Sequence, residues 1–194
     1  MLEKLNSIDT ELFLFLNGKH NDFFDLIMFW ASEKLFWIPL YIILLIIIVK
    51  VYKTKSIRIL IAIGILVTIC DQTANLLKNT VKRLRPSQEP MLEKLIHLSD
   101  AGKGGTYGFF SAHAAIHVGL ATFLILLLPK KFNWLKWILF FEAFLVSYSR
   151  IYNGVHYPSD VIVGAIIGIT YGFLVFFILM KMQPDRIMFN ESSH

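Results

Sequence analysis

Val161–Met180 reads VIVGAIIGITYGFLVFFILM, a run that carries no charge at all. About 20 apolar residues in a helix match the hydrocarbon thickness of a bilayer. Similar runs precede it. Phe36–Val49 ends in a stretch that is nearly all Leu, Ile and Val, and Ile57–Leu77, Ala114–Leu128 and Phe132–Val146 follow. Within residues 22–34, Phe23–Ala31 is apolar but short and is interrupted by Glu33-Lys34, so it is either a short span or a partial dip. At the N-terminus, Leu2, Leu5, Ile8, Leu12 and Leu16 recur at three- and four-residue spacing between polar residues, and Asn17-Gly18 closes the pattern. That is an amphipathic helix suited to the membrane interface. The expected fold is all-α: a polytopic transmembrane helix bundle of about six membrane helices plus the N-terminal helix, in one domain over 1–194.

Composition agrees. Hydrophobic residues make up 56% of the chain, against about 45–50% in soluble domains. The net charge is +5, and basic residues flank the runs: Lys50, Lys53, Lys55 and Arg58 between two of them, Lys130, Lys131 and Lys136 between the next pair, and Lys181 and Arg186 after the last. Short loops rich in Lys and Arg stay in the cytoplasm. No basic stripe is left over, so no nucleic-acid partner is expected. The single cysteine, Cys70, lies inside an apolar run and cannot form an intrachain disulfide. MLEKLNSIDTELF lacks the pattern of a cleavable signal peptide, so internal spans direct insertion.

Three polar stretches interrupt this background: KNTVKRLRP at Lys78–Pro86, FSAH at Phe110–His113 and SRIYNGVHYPSD at Ser149–Asp160. With Lys50–Arg58 inside, alternating spans bring all three to the opposite, non-cytoplasmic face. Ionisable groups at membrane depth are expensive and by default functional. Lys78 and Arg85 lie about two turns apart if the helix runs on to Pro86, which would then stop it. Arg150 joins them from another helix. Arginine's planar fork matches phosphate oxygens and lysine adds a point charge. Lys82 and Arg83 read as interfacial anchors.

Ser111 suits the N-cap of the next helix, whose free N–H groups also favour an anion, and Gly108 gives the incoming loop freedom. His113, in the first turn, is placed to protonate a leaving oxygen. Pro158 suits the first turn of the last helix, leaving His156 just outside it. Asp160 either complements the helix dipole or orients His156 so that the far ring nitrogen can attack. Two histidines then divide nucleophilic and acid work. Gly108, Ala112 and His117 adjoin these groups; His117, one turn after His113, is either its network partner or purely structural. Asp71 and Asn75 read as a structural pair one turn apart. Glu89, Glu93, His97 and Asp100 read as solvated loop residues.

The three stretches resemble the signatures of the type 2 phosphatidic acid phosphatase family, K-x6-RP, PSGH and SR-x5-H-x3-D, over residues 78–160. The resemblance implies a metal-independent, cofactor-free membrane lipid phosphatase. It implies His156 as the nucleophile that becomes a phosphohistidine, Asp160 supporting it, and His113 as the acid. Lys78, Arg85, Ser111 and Arg150 would hold the phosphate. Phe110 and Ala112 depart from the pattern's Pro and Gly; Ser111 and His113, which carry the chemistry, remain. By the same resemblance the setting is a bacterial inner membrane with the site facing the periplasm. The substrate partners would be lipids such as undecaprenyl diphosphate, phosphatidylglycerophosphate, phosphatidic acid or lipid A. Two alternatives are a non-enzymatic transporter or scaffold with a phosphate pocket, and a vanadium haloperoxidase-like enzyme, which the apolar runs disfavour. The sequence leaves the oligomeric state open.

Overall fold

The computed structural model describes residues 2–182, which form seven α-helices joined by loops and short 3₁₀ turns. They are α1 (Leu2–Asn17), α2 (Asp22–Ser32), α3 (Ile38–Tyr52), α4 (Ser56–Val81), α5 (Ala112–Leu127), α6 (Asn133–Tyr152) and α7 (Pro158–Lys181). Among the described residues there is no strand, and Leu84 and Tyr107 make an isolated β-bridge. Two helical stretches, Lys34–Val81 and Pro158–Lys181, are long and apolar enough to cross a membrane, and Ala112–Leu127 is a shorter apolar helix. Arg186 lies outside the described residues.

Helix α5 sits at the centre, packed on α7, α6 and α4. Large side chains such as Trp137, Phe141 and Phe144 on α6 and Phe173 and Phe177 on α7 point outward. That arrangement suits a surface bathed in lipid, where helices associate through small residues rather than by hiding large ones. The α5–α7 seam shows it. A Cβ added at Gly164 would lie 2.6 Å from the Ser111 carbonyl oxygen, and one at Gly172 2.7 Å from that of Gly119. This close approach has a consequence for function: the Ser111 N–H donates to the Asp160 carbonyl at 3.0 Å. The starts of α5 and α7, and with them the second and third polar stretches, are fastened together.

Helix α4 does not continue to Pro86. It ends at Val81, where Lys82 adopts a left-handed conformation (φ 53°) and its N–H donates to the Lys78 carbonyl at 3.0 Å. A left-handed C-cap turns the chain out of the helix. Arg85 is therefore extended (φ −72°, ψ 155°), its N–H donating to the Thr106 carbonyl at 3.1 Å, and Pro86 opens a short 3₁₀ turn.

Helix α1 docks across the ends of α6 and α7. Its Leu5, Ile8 and Leu12 face outward, while Phe13 is buried edge-on against Tyr157. The Asn17 side-chain amide donates to the carbonyls of Tyr152 at 2.8 Å and His97 at 2.9 Å.

Candidate active site

The site grows from the loop between α6 and α7. Gly154 makes the turn with φ 75°, and a Cβ there would come within 2.8 Å of the His97 carbonyl oxygen, so glycine answers both the conformation and the close approach. The chain then returns so that the N–H groups of Val155 and His156 both reach the Arg150 carbonyl at 3.1 Å. Pro158 occupies the first turn of α7, where its missing N–H costs nothing. Tyr157 and Asp160 form a capping pair, with the Tyr157 N–H donating to Asp160 Oδ2 at 3.1 Å.

This geometry brings His156 Nδ1 to 3.5 Å from Asp160 Oδ2, with His156 1% exposed and Asp160 0%. At that distance the pair attracts but no full hydrogen bond has closed. His156 Nδ1 is a buried atom with no hydrogen-bond partner among the described residues. Burial pushes the His156 imidazole down to about 4, against the supporting Asp160 carboxylate and with the Arg85 and Arg150 cations adding to the shift. At neutral pH its ring is therefore uncharged, as a nucleophile must be.

Around this pair lie the other sequence-predicted groups. Gly108 is the keystone of the approach: a Cβ there would stand 3.0 Å from Arg85 Cγ, 3.4 Å from Asp160 Oδ2 and 3.6 Å from His156 Nδ1. What this glycine supplies is room beside three functional side chains rather than loop freedom. Arg85 is further held by its Nε–H donating to the Tyr107 carbonyl at 3.2 Å. Lys78 lies within electrostatic reach of Arg85, Arg150 and Asp160, and His113 within reach of Arg150 and His156. Ser111 is the fully buried N-cap of α5, its Oγ accepting from the Ala114 N–H at 3.4 Å. Ala112 is the first helical residue of α5, where alanine fits without strain. Lys78, Arg85, His113 and Arg150 are half-buried, so the cradle keeps an open side. Arg150 Nε is a buried donor with no partner among the described residues.

The sequence reading missed Arg83. Taken as an anchor, it is instead the counter-ion of Asp160, with NH1 donating to Asp160 Oδ1 at 3.0 Å and to Ser159 Oγ at 2.7 Å. Its NH2 bonds Asp9 Oδ2 of α1 at 2.6 Å, and its guanidinium lies 4.0 Å over the Tyr157 ring. Asp9 also accepts from the Ser159 N–H at 2.9 Å. No local signal marks Arg83 apart from Lys82, because its partners lie 74 and 77 positions away.

Three other groups are now placed. Asp71 accepts from the Asn75 amide at 3.0 Å, as their spacing suggests. His97 is no loose loop residue: Nε2 is 2.9 Å from Asp25 Oδ1 and the ring stacks on His20 at 3.8 Å. His117 pairs with Glu142 of α6 and Tyr41 of α3.

Below His113 opens a cavity of about 500 Å³ between α3, α4 and α5. Its wall is mostly aliphatic, including Leu44, Ile63, Val67 and Leu120, with His113, His117 and Lys34 among its polar lining.

Comparison with known proteins gives the family of the chain. A family model described as the PAP2 superfamily matches residues 36–184. The chain is 42% identical to a lipid A 4'-phosphatase of Bacteroides thetaiotaomicron over 185 residues, covering 94% of this chain and 81% of that one. It is 34% identical to an undecaprenyl-diphosphatase of Sulfolobus acidocaldarius, covering 86% and 76%. Among solved structures it resembles LpxE of Aquifex aeolicus, with a TM-score of 0.61 and 29% identity over 87% of this chain and 94% of that one.

Proposed function

The chain belongs to the PAP2 superfamily and is a membrane lipid phosphatase of that type, and from that premise we propose that it removes a phosphate from lipid A through a phosphohistidine on His156. The observation that carries this reading is the placement of the neutral His156, paired with Asp160, beside a half-open cluster of Lys78, Arg85 and Arg150 near an apolar cavity. The Arg150 Nε–H, a buried donor with no partner among the described residues, supports it, because leaving such a donor unpaired costs about 1–3 kcal/mol that a bound phosphate oxygen would recover.

In the proposed reaction the His156 Nδ1–H faces Asp160, which leaves the Nε2 lone pair to attack phosphorus. The phosphorus–oxygen bond to the lipid breaks as His113 gives its proton to the departing oxygen. Water then attacks phosphorus while His113 takes its proton, the phosphorus–nitrogen bond breaks to return His156, and inorganic phosphate leaves. Asp160 stabilises the imidazolium character that His156 gains in the first step. Lys78, Arg85, Arg150 and the backbone at the start of α5 stabilise the charge on the equatorial oxygens. One lipid chain occupies the cavity below His113, so the substrate reaches the cradle without leaving the bilayer.

In this reading the polar site faces the periplasm, helices α3–α7 cross the inner membrane with α2 as the sixth membrane helix, and α1 lies at the interface. The Lys- and Arg-rich turns at the opposite ends of the helices support that orientation. Lipid A ranks first because of the 42% identical relative, and an isoprenoid diphosphate ranks second through the 34% identical one.

The test is phosphate release by the full chain in detergent from lipid A, undecaprenyl diphosphate, phosphatidylglycerophosphate and phosphatidic acid, with His156→Ala as the control. Lipid A turning over fastest, with a folded and inactive His156→Ala protein, is the expected result. Retained turnover in that variant would overturn the nucleophile assignment, and preference for another lipid would overturn the substrate assignment.

A further inference from the structure

Within the bundle lies a polar cluster that the reaction above does not use. Glu142 of α6 is 1% exposed, and its Oε1 takes hydrogen bonds from two neighbouring helices. His117 Nδ1 of α5 is 2.5 Å away and the Tyr41 hydroxyl of α3 is 2.9 Å away; Tyr41 and His117 are themselves 3.1 Å apart. A carboxylate held inside a membrane bundle is expensive and marks function by default. Pinning three helices together would explain the cost, but apolar packing does that more cheaply. The position of the cluster points elsewhere. The His117 ring lies parallel to the ring of His113, at an interplanar angle of 7° with centroids 6.3 Å apart, one turn along the same helix. Both rings line the cavity below the cradle.

We propose that Glu142, His117 and Tyr41 are positioning residues for His113, fixing the plane of its ring so that its proton meets the leaving oxygen. Glu142 accepts the His117 Nδ1–H, which fixes that ring's tautomer and rotation, and Tyr41 closes the set from α3. The His113 ring lies parallel to this fixed ring with its centroid 6.3 Å away, so the His117 side chain borders the space into which His113 could turn. The chain's own packing leaves the rest of the His113 side chain half-buried, so without the ring beside it the imidazole has other rotamers available. Misplacement of a reacting group by about 1 Å costs on the order of 100-fold in rate.

The inference rests on His113 acting as the acid, so the experiment separates the two claims. The full chain in detergent is assayed with a lipid phosphate monoester, whose alkoxide needs a proton to depart, and with p-nitrophenyl phosphate, whose leaving group does not. His113→Asn is the reference and should lose far more rate on the lipid than on the aryl ester. Glu142→Gln and His117→Gln should show the same split, with lipid turnover down on the order of 100-fold and inhibition by inorganic phosphate unchanged. Tyr41→Phe, the mildest change, carries the same test if either of the others fails to fold, and should show a smaller split in the same direction. Equal losses on both esters in these variants, with a split in His113→Asn, would overturn the positioning role and leave a structural one. No split in His113→Asn itself would overturn the acid assignment instead.

Discussion

Replacing Arg83 with Met isolates the contact that sequence reasoning did not foresee. The guanidinium sits 3.0 Å from a carboxylate that is 0% exposed. At that separation two unit charges interact by about 5.5 kcal/mol at an effective dielectric of about 20. Much of that offsets the desolvation of both groups, and removing one partner of a buried pair costs about 3–5 kcal/mol. Arg83 itself is 21% exposed, so the lower end applies. In a chain of this size each kcal/mol moves Tm by about 2–4 °C, which predicts a fall of about 6–12 °C. Activity should fall further than stability alone explains, because Asp160 keeps the Tyr157 N–H at 3.1 Å but loses the cation that holds its other oxygen. Thermal melting and phosphate release in detergent supply both readouts. Lys82→Met is the matched control: its side chain is exposed, and such changes are usually within about 0.5 kcal/mol. Equal melting temperatures and equal turnover for the two variants would refute the argument. Adding Asp9→Asn completes a cycle that should show coupling of about 0.5–3 kcal/mol, since Asp9 grips the same guanidinium at 2.6 Å.

Two further outcomes follow from the site. His156 is held near 4 in the folded chain, below its usual 6.5, so between those values the unfolded chain binds a proton that the folded one does not. Stability is therefore lost as pH falls from about 6.5 toward 4, by up to about 3 kcal/mol; melting curves of the wild type should show this loss and those of His156→Asn should show less of it. The cavity predicts a separation of lipid from headgroup recognition. Ile116→Trp narrows the lining near His113, displacing about two methylenes at about 0.8 kcal/mol each and raising KM about tenfold for a long-chain lipid phosphate. The KM for p-nitrophenyl phosphate, which has no tail, should stay put, and a parallel rise would show that the cavity does not hold the chain.

How much of this was legible in the sequence depends on the range over which each signal acts. Apolar runs are local, and each of the seven helices lies where a run or an amphipathic pattern stands. Ser111 as an N-cap and Pro158 in the first turn of α7 are equally local, set by backbone groups within three or four residues. Where α4 ends is less legible, because Pro86 would stop a helix that ran that far while the helix in fact closes at Val81. Lys82 in a left-handed conformation gives no compositional sign, since lysine takes that shape only when contacts beyond it reward the turn. Those contacts are the pairing of residues 83–85 with 106–108, which no helical periodicity encodes. Glu142 was invisible for a similar reason: a lone acid in an apolar helix declares a cost, while its partners on α3 and α5 lie 101 and 25 positions away.

The charges of the site fall into two sets with different physics. Asp160 is the buried anion, and it is answered from the protein by Arg83, by the Tyr157 N–H and by the His156 ring. Lys78, Arg85 and Arg150 are cations within electrostatic reach of one another, and Arg150 Nε has no hydrogen-bond partner among the described residues. Had Arg83 not taken Asp160, that carboxylate would have been the natural partner for Arg85, whose Cγ flanks the same Gly108 position as Asp160 Oδ2. The cradle would then be neutralised internally. In the proposed reading the Asp9–Arg83–Asp160 chain does two things at once: it fixes the carboxylate that orients His156, and it keeps that carboxylate from closing a direct ion pair with Lys78, Arg85 or Arg150. Mutual repulsion among these cations is a cost that, in the same reading, a phosphate anion would relieve. The held carboxylate of Asp160 and the cationic cluster beside it are on this reading complementary parts of one arrangement, and α1 belongs to it through Asp9 as surely as the helices that carry the histidines.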